Sequence, residues 1–274
     1  MKIIDAHAHI FPTKVENAAV HSISNFYDGA CMRHGGSVDE LLTAGGKAGV
    51  QRYVIFSCAT TPHQVKSINN FIMETCTQHP ECISVGTLHK DFPNYEAELQ
   101  RLYDFGIRGI KIHPDFQHFP LDAQDMMPIY DAMEQLGMFL LAHSGDIRFS
   151  ASHPARVARV AKAFPRMNCI AAHFGGWMQW DAARECLVLP NVYIDTSSTI
   201  GFVGMEPAHR ALEVFDTSHI FFGTDFPMWD HEQEITSLQH LGINDQLLED
   251  ILGGNFQRFY QEYAVDKTIE KKVI

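Results

Sequence analysis

Gly137-Met-Phe-Leu-Leu-Ala-His143 decides the fold. Its apolar run is too short for an ordinary helix and does not alternate with polar residues. Both faces must therefore be buried, as in a parallel-sheet strand covered by helices. Gly137 can end a helix ahead of the run, and Asp122 can cap the one reaching about Leu136. A polar residue, His143, follows the last apolar one directly.

The same layout recurs along the chain. Apolar runs at 3–6, 53–57, 83–88, 109–112, 138–142, 169–172, 192–195 and 220–223 read as eight strands, with helical patterns between them. Ser37-Val-Asp-Glu40 and Thr61-Pro-His-Gln64 fit capping boxes, with Pro62 suited to a first helical turn. Later helices are expected at 206–215 and 232–241, and a longer closing helix at 244–263, interrupted by Gly253-Gly254. Eight strands alternating with helices over 274 residues predict an α/β fold, a (β/α)8 barrel forming one domain over 1–274. A doubly wound open sheet is the rival, but no glycine-rich fingerprint follows the first strand. The stretch 11–36 is long for a βα loop and reads as a functional loop over the site. The polar tail 266–274 is expected to fray.

Composition narrows the class. With 46% apolar and 20% charged residues, the chain is globular and neither disordered nor collagenous. No apolar run approaches the roughly 20 residues of a membrane span. A net charge of −12 argues against nucleic acid and anionic membrane as partners and leaves a small-molecule substrate. The six cysteines form no CxxC, and no secretory leader is visible at the N-terminus, so reduced thiols and a cytoplasmic location are expected.

The chain holds 16 histidines, and position sorts them. His7 and His9 end the first strand, two residues apart, so both imidazoles can converge on one point. Lys111 lies in the fourth strand, His143 follows the fifth, His173 the sixth and Asp225 the eighth. The C-terminal strand ends of a barrel meet at one mouth, where active sites sit. His89 and His113 lie near strand ends and could contact substrate. Arg148 could clamp a carboxylate bidentately or pair with a neighbouring acid. Trp177 and Trp180 could floor the pocket or pack between helices, and Asp195 could orient a ligand histidine. His153, His209 and His219 read as structural; His21, His34, His63, His79, His118, His231 and His240 read as loop or surface residues.

In order along the chain stand Asp5-Ala-His-Ala-His9 with Phe11-Pro12, Gly109-Ile-Lys-Ile-His-Pro114, His143-Ser-Gly145, Ala172-His-Phe-Gly-Gly176 and Gly223-Thr-Asp-Phe-Pro227. This set resembles the amidohydrolase superfamily of metal-dependent barrels. Within it, the chain is similar to the amidohydrolase-related branch that contains aminocarboxymuconate-semialdehyde decarboxylase-like enzymes. The resemblance implies His7, His9, His143 and Asp225 as ligands of a divalent metal. Zn²⁺ suits that donor set, with Mn²⁺ or Fe²⁺ as alternatives. It implies Asp225 and His173 as the groups that manage protons. Lys111 would join a second metal if carbamylated; otherwise it is a cation steering substrate or pairing with an acid. One ion is favoured over two. The leading activity implied is hydrolysis of a small amide, ester or lactone, with a carboxylated substrate. The rival is non-oxidative decarboxylation on the same site, and a non-catalytic metal-binding barrel is the third reading. A homodimer is expected from the family.

Overall fold

The structure, a computed structural model, describes residues 2–264; the tail expected to fray lies outside them. Eight strand positions appear where the apolar runs stand. They are β1 (Ile3–His9), β2 (Val50–Phe56), β3 (Cys82–Ser84, resuming after Val85 as Gly86–Thr87), β4 (Gly109–Ile112), β5 (Phe139–Ala142), β6 (Cys169–Ala171), β7 (Val192–Asp195) and β8 (Ile220–Phe221). All neighbours pair in parallel and in chain order. The circle closes between β8 and β1 through Ala6 N–H to Phe222 O at 2.8 Å and His9 N–H to Phe226 O at 2.7 Å. This is the expected (β/α)8 barrel.

Alternation along each strand divides the core. Phe139 and Leu141 point into the barrel with Ile4, Val54, Phe56, Ile83, Ile170 and Phe221. Leu140 and Ala142 face outward into the larger cluster beneath the helices. The closing helix is not continuous. Asp245–Glu249 passes through a π-helical turn, Asp250–Gly254, into Asn255–Ala264, whose Phe256 and Phe259 plug the barrel floor. Gly253 explains the break, because a Cβ there would collide with the Lys2 carbonyl. The wider π turn lets Ile251 O accept from Phe222 N–H at 2.9 Å.

Helix ends follow the sequence signals with one exception. Ser37 Oγ accepts from Glu40 N–H at 3.2 Å, and Thr61 N–H donates to Gln64 Oε1 at 3.1 Å. Gly137 takes φ +64 before β5, as a stop signal should. Asp122, by contrast, caps nothing. The helix Met127–Gln135 is entered through a 3₁₀ turn without a side-chain cap, and Asp122 pairs with Arg156 and Arg159 instead. Two guanidinium groups offer a carboxylate more than one backbone N–H can. The long first loop carries the helix Glu16–Phe26, which buries none of its residues and lies over the mouth. Among the described residues no helix is long and apolar enough to cross a membrane.

Candidate active site

The pairing of β1 with β2 shifts register between Asp5 and Ala8. A bulge of this kind re-aims side chains. Ala6 still faces the barrel interior, while His7 and His9 both reach the mouth. Asp5 locks this end in place. Its carboxylate accepts from His7 N–H (3.0 Å), Thr224 N–H (3.1 Å) and Thr224 Oγ1 (2.7 Å), and lies 3.0 Å from His231 Nε2.

At the mouth, His7 Nδ1 stands 2.8 Å from Asp195 Oδ2. A carboxylate only accepts, so Nδ1 carries the proton and Nε2 faces the site. His7 Nε2 lies 3.3 Å from Asp225 Oδ1, and His9 Nε2 lies 3.4 Å from the same oxygen. Ser198 Oγ donates to the other oxygen, Oδ2, at 2.5 Å and itself receives Trp229 Nε1–H at 2.8 Å. His173 enters from the end of β6, its Nδ1 2.9 Å from Ser197 Oγ. Ligand atoms of His7, His173 and Asp225 lie within 4.8 Å of one another. Three of these groups sit on left-handed backbone that non-glycine residues rarely adopt: His173 (φ +64), Ser198 (φ +50) and Asp225 (φ +60).

Burial and charge set the protonation states. Burial pushes His173 and His9 down to about 4, against the opposing pull of Asp225, so both are neutral near pH 7. Burial alone would raise Asp225, but His7 and His9 hold it well below the carboxylate range. Burial and Lys111 lower His7, yet Asp195 and Asp225 outweigh them and its pKa is raised. The convergent donors are thus neutral imidazoles, an ionised carboxylate and an imidazole whose second proton a divalent cation would displace. This donor set fits a divalent metal.

His143 stands one step further out. Its Nδ1 lies 2.9 Å from His173 Nε2, and its ring stacks on His113 at 3.9 Å with 9° between planes. His113 Nε2 meets the hydroxyl of Tyr27 from the first loop at 3.3 Å. Above lies a cavity of about 510 Å³, with His143, His173, Ser198 and Asp225 at its polar end and Trp177, Phe202 and Trp229 among its apolar walls.

The expected residues distribute unevenly. His7, His9, His173 and Asp225 meet, and Asp195 orients His7. His143 borders this cluster, and His173, not His143, completes the tight triple. Arg148 lines the cavity but takes the ion pair of its two readings. It donates to Asp146 through Nε (3.0 Å) and Nη2 (2.8 Å), and through Nη1 to Phe26 O (2.7 Å) and Asp28 Oδ2 (3.1 Å). Trp177 forms a cavity wall, whereas Trp180 packs outside it, its Nε1–H donated to His173 O at 3.1 Å. His113 reaches a small inner pocket with His9, Tyr27 and His143. His89 lies elsewhere, against Phe119, its Nδ1 accepting from Asp91 N–H at 3.2 Å. Lys111 is fully buried with Nζ 3.3 Å from His7 Nε2 and 4.8 Å above the Phe56 ring, and it does not line the cavity. Burial lowers its pKa. His231, read as a surface residue, is instead fully buried against Asp5.

Other members of the site had no signal in the chain. Ser197 and Ser198 look like an ordinary polar loop after β7, and Tyr27 and Asp115 are brought in by loops. Only the spacing of Asp115 after the fourth strand could have marked it.

Known proteins share this fold. The family model described as Amidohydrolase matches residues 4–261. An uncharacterized TIM-barrel protein from Bordetella bronchiseptica superposes with a TM-score of 0.76 at 18% identity, over 96% of this chain and 100% of that one. A dihydroxybenzoic acid decarboxylase from Polaromonas with bound manganese gives 0.71 at 13%, over 95% and 97%. A probable 2-pyrone-4,6-dicarboxylic acid hydrolase from Acinetobacter baumannii gives 0.70 at 16%, over 95% and 100%.

Proposed function

The chain belongs to the amidohydrolase family and is a metal-dependent enzyme of that superfamily; from that premise we propose that it hydrolyses a small, flat, carboxylated ring compound at an ester, lactone or amide bond. The observation that carries this reading is the convergence of His7, His173 and Asp225 at the end of an aromatic-walled cavity. His7, His9 and Asp225 would hold one divalent cation together with His143 or His173, with Zn²⁺ the first choice for such donors. When bound, the cation supplies Lewis acidity and brings the pKa of water to about 7. Asp225, ionised and held at Oδ2 by Ser198, accepts the water proton at Oδ1. His173, neutral and fixed through Nδ1 by Ser197, presents Nε2 for a hydrogen bond or a proton. Trp177, Phe202 and Trp229 take the ring face and exclude water.

Decarboxylation is the second reading, favoured by the same apolar walls and by the chemistry named for the manganese-bearing Polaromonas structure. A panel of lactones, esters, amides and aromatic carboxylates, assayed in parallel for hydrolysis and for CO₂ release with Zn²⁺ or Mn²⁺, tests both. Hydrolysis without CO₂ supports the proposal; CO₂ release without hydrolysis replaces it with the second.

A further inference from the structure

We propose that Asp115 is a positioning residue for His143: it receives the Nε2–H of that imidazole and so keeps the Nδ1 lone pair turned toward the cation site. The inference rests on the metal-dependent reading above.

Asp115 is buried, and neither carboxylate oxygen has a hydrogen-bond partner among the described residues. His143 Nε2 is buried and unpartnered as well, and it faces Asp115 Oδ2 across 3.8 Å. Buried polar atoms are almost always satisfied, so two orphans facing one another need an explanation. Loose placement does not supply it. Gln117, two residues on, donates to Ala59 O at 2.8 Å and Leu88 O at 2.7 Å and accepts from His113 N–H at 2.9 Å, which pins the turn carrying Asp115.

Ser152 lies beside the carboxylate, but its hydroxyl is donated to Gly145 O at 2.7 Å. Arg148 is the nearby cation, and Asp146 already engages it with both oxygens. A second metal ion shared by His113, Asp115 and His143 is the rival explanation, since their ligand atoms cluster within 4.8 Å. Ring geometry speaks against it. The two imidazoles lie parallel at 3.9 Å and 9°. Lone pairs lie in the ring plane, so those of stacked rings run side by side and do not converge on one ion.

One assignment gives both His143 Nε2 and Asp115 Oδ2 a partner. Nδ1 of His143 points to His173 Nε2, on the side of the His7–Asp225 cluster. If Nδ1 is the ligand atom, Nε2 carries the proton. That proton needs an acceptor, and Asp115 is the group in line. An approach of about 1 Å brings the pair into hydrogen-bond range. Metal-ligating histidines are usually tied to a carboxylate or carbonyl in this way.

The test compares wild type with Asp115→Leu and Asp115→Asn by chelator competition for Zn²⁺, with the melting temperature of each metal-free protein measured alongside. Leucine removes the acceptor, and asparagine keeps a weaker one. The expected result is a loss of Zn²⁺ affinity of about 10–100-fold for Asp115→Leu and a smaller loss for Asp115→Asn. Melting temperatures should stay equal or rise, because an unpaired buried charge has gone. Affinities within twofold of wild type overturn the proposal. So does a parallel fall in affinity and melting temperature, which marks a merely structural residue. A wild-type protein that binds no Zn²⁺ or Mn²⁺ overturns the metal reading and this inference with it.

Discussion

Two histidine–carboxylate pairs flank the mouth of the barrel, and they stand in different states. His7 and Asp195 are closed at 2.8 Å, and Asp195 is further held by His173 N–H at 3.0 Å and Ser197 N–H at 3.1 Å. His143 and Asp115 remain open at 3.8 Å, with unpartnered atoms on both sides. The difference follows from what each carboxylate is attached to. Asp195 ends a barrel strand and is fixed by ladder geometry. Asp115 stands in a turn beyond β4, in a region that also receives Tyr27 and Arg148 from outside the barrel wall. The inner pair is closed within the protein, while the outer pair leaves buried polar atoms unpartnered.

Asp225 belongs to the inner half, and its loss should have the largest effect. In the proposed mechanism, Asp225→Asn removes an ionised ligand and a proton acceptor together. We expect kcat/KM to fall on the order of 10³-fold or more, and Zn²⁺ to be lost on dialysis, as read by elemental analysis. Asp195→Asn comes next. It leaves the His7 ring without its charged acceptor and should lower Zn²⁺ affinity about 10–100-fold. Unlike the Asp115 variants, it should also destabilise the protein by about 3–5 kcal/mol in denaturant unfolding, because a closed buried pair is broken. Equal behaviour of the two carboxylates would dissolve the distinction between the halves.

The inner half is also the part that could be read from the chain. His7, His9, His173 and Asp225 each follow an apolar strand, and a barrel brings strand ends together whatever the loops do. Lys111 was visible in the fourth strand, but nothing in the sequence showed that it is buried against His7 and away from the cavity. Of the outer half, His143 and His113 were visible at strand ends, but their partners were not. Tyr27 arrives on a loop whose course depends on tertiary contacts, and Asp115 follows Pro114 in a turn that resembles a simple cap. Arg148 was visible, but nothing in the sequence chose between substrate and Asp146 as its partner. His231 misled for the opposite reason: it opens a helix, where exposure is common, yet the partner that buries it, Asp5, is 226 residues away. Asp122 misled similarly, since two arginines on a later helix compete for it.

Glu234 is another buried carboxylate, and its Oε1 has no hydrogen-bond partner among the described residues. Burial, with Asp225 and Asp5 adding to it, pushes its pKa from 4.5 up to about 8. The folded protein therefore keeps this group neutral where the unfolded chain would ionise it. Stability tied to Glu234 is fully present below about pH 4.5 and declines as pH rises toward 8. Glu234→Gln should abolish that decline. The variant should gain on the order of 2–3 kcal/mol over wild type at pH 7, with little difference near pH 4, read from unfolding curves at both. A gain that does not change with pH would show that the carboxyl is not neutral in the fold.

The smallest effect is expected at the rim. Arg148 is 29% exposed and joins Asp146 to Phe26 O and Asp28 of the first loop. Arg148→Lys keeps the charge but loses the fork that grips Asp146 and the loop together. Partial exposure limits the stability change to about 1 kcal/mol or less. The loop, however, carries Tyr27 over the cavity, so its loosening acts on substrate capture. The expected outcome is KM raised about 3–10-fold, kcat within about twofold, and faster proteolytic nicking in residues 16–28. A fall in kcat at unchanged KM would place the guanidinium against the reacting atoms. It would then belong to the chemistry, and the outer half of the site could no longer be described as scaffolding for ligands that arrive from outside the barrel.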